Sequence, residues 1–189
     1  MTKKDINLFK IIILGESDVG KTSIINRFTK NEFNANNAST IGINYSNKEM
    51  IINNKNKITL KILDTAGQER YIALAKAYYR NVDVVLFVFS MNDIESFNKI
   101  TEWMKAFKDN NNIEDNIPKY LVGNKNDLEI NVKQSLIDEF MEENKIPFIS
   151  TSAKENICIN KLFEDIGKNI FTDYISKGVK TQKNIKNNI

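Results

Sequence analysis

Eight residues near the start of the chain, Gly15-Glu16-Ser17-Asp18-Val19-Gly20-Lys21-Thr22, carry the G-x-x-x-x-G-K-[ST] spacing of a loop that wraps a polyphosphate. Such a loop offers its backbone N–H groups to phosphate oxygens. Glycine is therefore needed where a side chain would block approach or where φ must be positive. Lys21 then reaches the terminal phosphates, Thr22 offers a hydroxyl to Mg²⁺, and the positive end of the helix that follows adds attraction for anions. The expected contacts from this segment are Gly15, Ser17, Asp18, Val19, Gly20, Lys21, Thr22 and Ser23. Only seven glycines occur in the chain, and Gly15, Gly20 and Gly67 all stand where phosphate-facing backbone would require them. A second set, Asp64-Thr65-Ala66-Gly67-Gln68-Glu69, follows an apolar run. A carboxylate at that strand end can hold Mg²⁺ through water, Gly67 can present its N–H to a γ-phosphate, and Gln68 carries the amide that orients an attacking water.

The base is read elsewhere. Asn124-Lys125-Asn126-Asp127 follows a short apolar strand, and Asp127 is a forked, acceptor-only group. Guanine presents N1–H and N2–H₂ as adjacent donors, which adenine does not, so Asp127 selects guanine by roughly 10⁴ or more. Asn124 can tie neighbouring loops together, and the Lys125 stem can cover the base face. Ser152-Ala153-Lys154, after the last strand, would supply a backbone N–H to the guanine carbonyl and a second aliphatic stem.

These motifs must sit at strand ends, and the hydropathy pattern supplies the strands. Apolar runs at 8–14, 44–52, 57–63, 84–89, 120–122 and 148–150 alternate with helix-period segments, the mark of a parallel α/β sheet. Only four polar residues, 53–56, separate the second run from the third, so these two form a hairpin. The expected fold is a P-loop α/β domain. It has a six-stranded, mostly parallel sheet with one antiparallel edge strand and about five helices on both faces. Phe97, Ile100, Met104 and Phe107 line one helix opened by Asp93 as N-cap. Val132, Leu136, Phe140 and Met141 line another, and Leu162, Phe163, Ile166 and Ile170 a third. Pro118 and Pro147 mark helix-to-strand returns. Residues 1–176 form one nucleotide-binding domain, and 177–189, with four lysines and no acid, reads as a flexible lysine-rich tail.

Composition narrows the chemistry further. With no histidine, His-based metal sites, His general bases and Ser/His/Asp triads are excluded. A net charge of +3 is too small for a nucleic-acid partner, and a single cysteine, Cys158, fits a reducing, cytoplasmic setting and reads as a small packing residue. No stretch approaches the roughly 20 apolar residues of a spanning helix.

Across 8–174 the chain resembles the Ras superfamily of small GTPases, and within it the Rab family. Besides the motifs above, the likeness rests on Ser39-Thr40-Ile41-Gly42-Ile43, Gln68-Glu69-Arg70-Tyr71, Tyr78-Tyr79-Arg80 and Glu95-Ser96-Phe97 with Trp103. The resemblance implies that Thr40 closes over γ-phosphate and Mg²⁺, that Phe33 packs against the base, and that 31–45 and 64–79 are switch segments released when γ-phosphate leaves. Metal ligation then falls to Thr22, Thr40 and Asp64, and catalysis to Gln68, Lys21 and Thr40. Ser17 leaves room for an activator's finger residue. Turnover on the order of 10⁻⁴ to 10⁻³ per second is expected, as for Ras unaided by its activator.

Exchange factor, activator and effectors should engage the switch segments of a monomer at the cytosolic face of an endomembrane, in vesicle trafficking. The alternative is a GTP-binding scaffold with little hydrolysis; a P-loop kinase or ATPase is a third reading, which Asp127 opposes. Where Rab proteins carry a tryptophan before the strand-end aspartate, this chain has Leu63, in an effector-facing trio with Tyr45 and Tyr78. Asn37 replaces a tyrosine that covers the nucleotide, Asn44 a usual aspartate and Asn81 a usual glycine. Rab chains end in prenylated cysteines, whereas this sequence closes Lys186-Asn187-Asn188-Ile189. Its lysines alone, at about 1 kcal/mol each, support only weak, reversible contact with an anionic membrane surface.

Overall fold

The computed structural model describes residues 8–35, 40, 42–65, 79–110 and 117–186. Six strands form one sheet: β1 (Leu8–Leu14), β2 (Ile43–Ile52), β3 (Asn56–Thr65), β4 (Val84–Ser90), β5 (Lys119–Asn124) and β6 (Phe148–Ser150). Their order is β2-β3-β1-β4-β5-β6. β1 pairs in parallel with β3 and β4, β4 with β5 and β5 with β6, while β2 pairs antiparallel with β3 as the edge hairpin. In the hairpin turn Asn53 and Asn54 both have positive φ, 52° and 58°, which asparagine tolerates better than other side chains.

The helices among the described residues are α1 (Lys21–Lys30), α2 (Ile94–Asn98), α3 (Ile100–Asn110), α4 (Gln134–Asn144) and α5 (Ile159–Lys186). The single helix expected over 94–107 is divided at Lys99 into α2 and α3; Asp93 caps α2, accepting from the Glu95 N–H at 3.0 Å. α5 continues through Lys186, into the segment that the sequence reads as a flexible tail. No proline interrupts it, and its lysines and glutamine are good helix formers. No helix among the described residues is long and apolar enough to cross a membrane.

β4 is buried along its whole length, and its side chains alternate between the two faces of the sheet. Val84, Leu86 and Val88 join a core with Ile24, Phe28, Phe163 and Ile166, so that face is covered by α1 and α5. Val85, Phe87 and Phe89 join Phe97, Trp103, Phe107 and Phe140 on the other face, beneath α2, α3 and α4. Phe28 stacks on Phe163 with ring centroids 3.9 Å apart. Each such side chain taken from water stabilises the fold by about 1.5–3 kcal/mol. This two-sided core holds the sheet rigid, and the carboxyl ends of β1, β3, β4, β5 and β6 open on one rim, where the motif residues lie.

Candidate functional site

The loop between β1 and α1 shows why its glycines stand where they do. Gly15 (φ +150°) passes so close to the Val88 carbonyl that a Cβ would collide with it, and Gly20 (φ +90°) lies equally close to the Asn124 amide. Val19 is buried in the α1/α5 core and pins the loop down. Among the described residues no side-chain cap bond closes α1 at Gly20, and the positive end of the helix faces the loop, a place suited to an anion. Lys21 is only 5% exposed, and its Nζ donates to the Gly15 and Glu16 carbonyls at 2.9 and 2.6 Å. Burial lowers its pKa to about 8, against the opposing pull of Asp64, Glu16 and Asp18. A desolvated ammonium of this kind is a strong point of attraction for phosphate.

Three oxygens converge beside it. Thr22 Oγ1 donates to Asp64 Oδ2 at 2.7 Å and lies 2.8 Å from Thr40 Oγ1. Since the Thr22 proton goes to Asp64, Thr40 is the donor in the second bond. The other carboxylate oxygen, Asp64 Oδ1, is buried and has no hydrogen-bond partner among the described residues, and burial raises the Asp64 pKa against the lowering effects of Thr22 and Lys21. A buried, unpaired carboxylate oxygen beside two hydroxyls suits a hard divalent cation. The 2.8 Å Thr22–Thr40 spacing is near the octahedral edge of about 2.9 Å that follows from Mg–O distances of 2.0–2.1 Å. No group of three or more acidic, histidine or cysteine side chains is placed to hold a metal ion among the described residues. The donor set thus fits Mg²⁺ shared with phosphate better than an all-protein cage. Gly67 and Gln68 lie outside the described residues.

A cleft of about 200 Å³ continues from this loop, past Asp18, Gly20 and Ser23, to Asn124, Lys125, Asp127, Ala153, Lys154 and Phe33. Asn124, buried at the end of β5, donates to the Val19 carbonyl at 2.9 Å and accepts from Thr151 Oγ1 and the Ala153 N–H. It therefore ties the phosphate loop to the loop after β6, and it occupies the Ala153 N–H. The Asp127 side chain is 10% exposed, and its Oδ1 accepts from Ser152 Oγ at 2.6 Å, with Lys154 Nζ 3.9 Å from Oδ2. Ser152 Oγ in turn accepts from the Glu155 N–H at 2.9 Å, which fixes the direction of its own proton toward Asp127. Lys125 Nζ reaches Asp18 at 3.4 Å across the mouth of the cleft, where exposure keeps the pair weak.

All the expected contact residues outside 66–78 thus lie around one cleft and its phosphate end, except that Ser17 is an exposed loop residue for which no contact is described. Leu63, expected on an effector-facing surface, is instead 2% exposed and belongs to the core that also holds Ile12, Val85 and Phe87: an aliphatic side chain at that position of β3 packs inward. Tyr45 is 64% exposed on β2, with Lys61 Nζ 4.5 Å above its ring. Tyr78, Asn37, Ser39 and Ile41, with Glu69 to Tyr71, lie outside the described residues.

Two residues with structural roles at the site went unassigned by motif. The Trp103 indole N–H donates to Glu16 Oε1 at 2.9 Å, joining α3 to the phosphate loop. Arg27, on α1, donates to the Ala153 and Lys154 carbonyls. Neither partner is near in sequence, so only Trp103 left a trace there, as a family-like residue.

The family model described as Ras family matches residues 10–172. Among curated relatives, the chain is 38% identical over 167 residues to GTP-binding protein ypt3 of Schizosaccharomyces pombe, covering 87% of this chain and 76% of that protein. It is 39% identical to Ras-related protein Rab-11C of Dictyostelium discoideum, with 87% and 73% covered. Against Ras-related protein Rab-13 of Rattus norvegicus the identity is 36%, with 90% and 83% covered.

Proposed function

The chain belongs to the Ras family of small GTPases, and on that footing we propose that it is a Rab-like guanine-nucleotide switch that loads GTP or GDP with Mg²⁺ and hydrolyses GTP slowly. The observation that carries this is the single cleft in which Gly20 and Asp18 of the phosphate loop and Asp127 of the base loop face one ligand. A nucleotide is a ligand of that bipolar kind, and the Asp127 fork selects the guanine edge.

The chain's own groups divide the work. Lys21 and the N–H groups at the start of α1 bind the β- and γ-phosphates. Thr22, Thr40 and Asp64 would hold Mg²⁺, which when bound neutralises charge on the bridging and terminal oxygens. Gln68 orients the attacking water and Gly67 meets the γ-phosphate. Phe33, which borders the cleft beside Asn34 and Ala35, covers the base. Segments 31–45 and 64–79 are the switches: Thr40 Oγ1, 2.8 Å from Thr22 Oγ1, stands where it would join Thr22 on the metal when γ-phosphate is bound and be released when γ-phosphate leaves. Exchange factor, activator and effectors bind these segments, and likeness to Rab and Ypt proteins supports a role in vesicle trafficking at the cytosolic face of an endomembrane. The nucleotide-binding domain ends near 176, and the lysines beyond it would give only weak, reversible contact with an anionic membrane surface.

The test is direct. Purified protein should carry guanosine phosphates, prefer GDP over ADP by at least about 10⁴-fold, and release phosphate once from a GTP load at about 10⁻⁴ to 10⁻³ per second. Guanine binding without phosphate release would mean a scaffold; absence of guanine binding would end the proposal.

A further inference from the structure

The base loop after β6 is held in place by a side chain that belongs to neither nucleotide motif. Arg27 sits in the last turn of α1, and its guanidinium donates in three directions, each time to a backbone carbonyl. Nε reaches Ala153 at 2.8 Å, one terminal nitrogen reaches Lys154 at 3.0 Å, and the other reaches Asn31 at 3.0 Å. The guanidinium carbon also lies 6.0 Å above the Phe33 ring. Asn31, the left-handed C-cap of α1, returns its N–H to the Arg27 carbonyl at 3.0 Å. One planar, forked cation thus fixes two walls of the cleft: the 153–154 peptides on one side and the turn leading to Phe33 on the other.

The geometry of the peptide bond shows what this does for a ligand. The C=O and N–H of a trans peptide point in opposite directions, and no described peptide is cis. With the Ala153 carbonyl drawn to Arg27, the Lys154 N–H on the same peptide faces away from it, and both residues line the cleft. The Ala153 N–H is already given to Asn124 at 3.2 Å. We propose that Arg27 is a positioning residue for guanine: by holding the Ala153–Lys154 peptide through its carbonyl, it aims that peptide's N–H at the base oxygen O6. It acts on O6 only through that peptide; its separate contacts with Asn31 and Phe33 brace the neighbouring turn. The inference rests on the guanine reading of the cleft.

The experiment compares wild-type, Arg27→Ala and Arg27→Lys proteins, each loaded with Mg²⁺ and nucleotide, by stopped-flow release of GDP, inosine diphosphate and 6-thioguanosine diphosphate. Inosine keeps O6 and lacks only the amino group that Asp127 would read. The thio analogue keeps both donors and replaces O6 with sulfur, a weak acceptor. Arg27→Ala should speed release of GDP and of inosine diphosphate at least about tenfold, the order expected for losing charge-assisted bonds. Release of the thio analogue should change less than about threefold, since little remains there to lose. Arg27→Lys, which keeps the charge without the fork, should fall between the two with the same selectivity. If Arg27→Ala does not fold, by far-ultraviolet circular dichroism, Arg27→Lys carries the comparison.

Equal acceleration for all three nucleotides, or none for GDP, overturns the proposal, because a general loosening of the fold would not distinguish oxygen from sulfur. A wild-type protein that binds no guanine nucleotide would instead overturn the guanine reading itself, a separate outcome.

Discussion

Replacing Asp127 with asparagine changes one atom, and the surroundings of Asp127 dictate where that atom goes. Ser152 Oγ accepts from the Glu155 N–H and donates to Asp127 Oδ1 at 2.6 Å, so the position of Oδ1 must remain an oxygen. In Asp127→Asn the amide nitrogen therefore takes the place of Oδ2, the side on which Lys154 Nζ lies 3.9 Å away. A donor now stands where guanine needs an acceptor, next to a second donor, in a side chain only 10% exposed. A hydrogen bond to a charged group contributes about 1.5–3 kcal/mol, and the two faced donors lose their solvation as well. The sum, about 3–5 kcal/mol, corresponds to GDP binding weakened about 10²- to 10⁴-fold. Xanthine has a carbonyl where guanine has its amino group and can accept from the new amide. Displacement of a fluorescent guanine nucleotide by unlabelled GDP and xanthosine diphosphate checks both halves. GDP affinity within threefold of wild type, or no gain for xanthine, would refute the assignment of Asp127 to the base edge.

Trp103→Phe removes the 2.9 Å bond to Glu16 while keeping the ring in the core, so GDP release should quicken several-fold with a stability loss of about 1 kcal/mol, read by urea denaturation. Gly15→Ala should destabilise the GDP-bound protein by about 2 kcal/mol or more, since its Cβ meets the fixed Val88 carbonyl at a backbone conformation few side chains adopt; a soluble variant with an unchanged melting temperature would contradict the geometry of the loop. Tyr79→Phe should leave stability unchanged or raise it by up to about 1 kcal/mol, because the buried Tyr79 hydroxyl has no hydrogen-bond partner among the described residues. Burial pushes the Tyr79 pKa up to about 12 from its ordinary value of 10.0. The neutral phenol favoured by the fold is thus fully present below pH 10, and its contribution is lost as pH rises through 12. Wild type should lose stability more steeply than Tyr79→Phe across that window, measured by denaturation at successive pH values.

What was legible in the sequence was whatever is local or periodic. β1 and β6 run from Leu8 to Leu14 and from Phe148 to Ser150 as the apolar runs predict; β1, inside the sheet and largely buried, is a nearly continuous hydrophobic sequence for that reason, while β6 is a short, partly buried edge strand. The edge hairpin follows from its four-residue turn, and Asp93 is an N-cap as its residue type suggests. The effector-facing side expected for Leu63 follows a family trend, whereas strand alternation puts it beside Ile12 in the buried core. The division at Lys99 was invisible because the apolar stripe runs through it unbroken.

The candidate site shows the same boundary more sharply. Gly15, Lys21, Asn124 and Asp127 announce themselves because a ligand imposes residue types at short spacing. The bonds that hold those residues in place span the chain: 105 residues between Asn124 and Val19, 87 between Trp103 and Glu16, and 126 between Arg27 and Ala153. No local pattern encodes such pairs, since an arginine or tryptophan on a helix also serves as an ordinary surface or core residue. These long-range bonds mostly join a side chain to a backbone carbonyl, so the partner's identity leaves no mark in the sequence at all. The consequence is physical: the cleft assembles only when distant strand ends are docked, and a ligand that bridges those ends stabilises the whole fold. Nucleotide affinity and global stability should therefore rise and fall together in variants of Arg27, Trp103 and Asn124, to the extent that binding is confined to the folded chain.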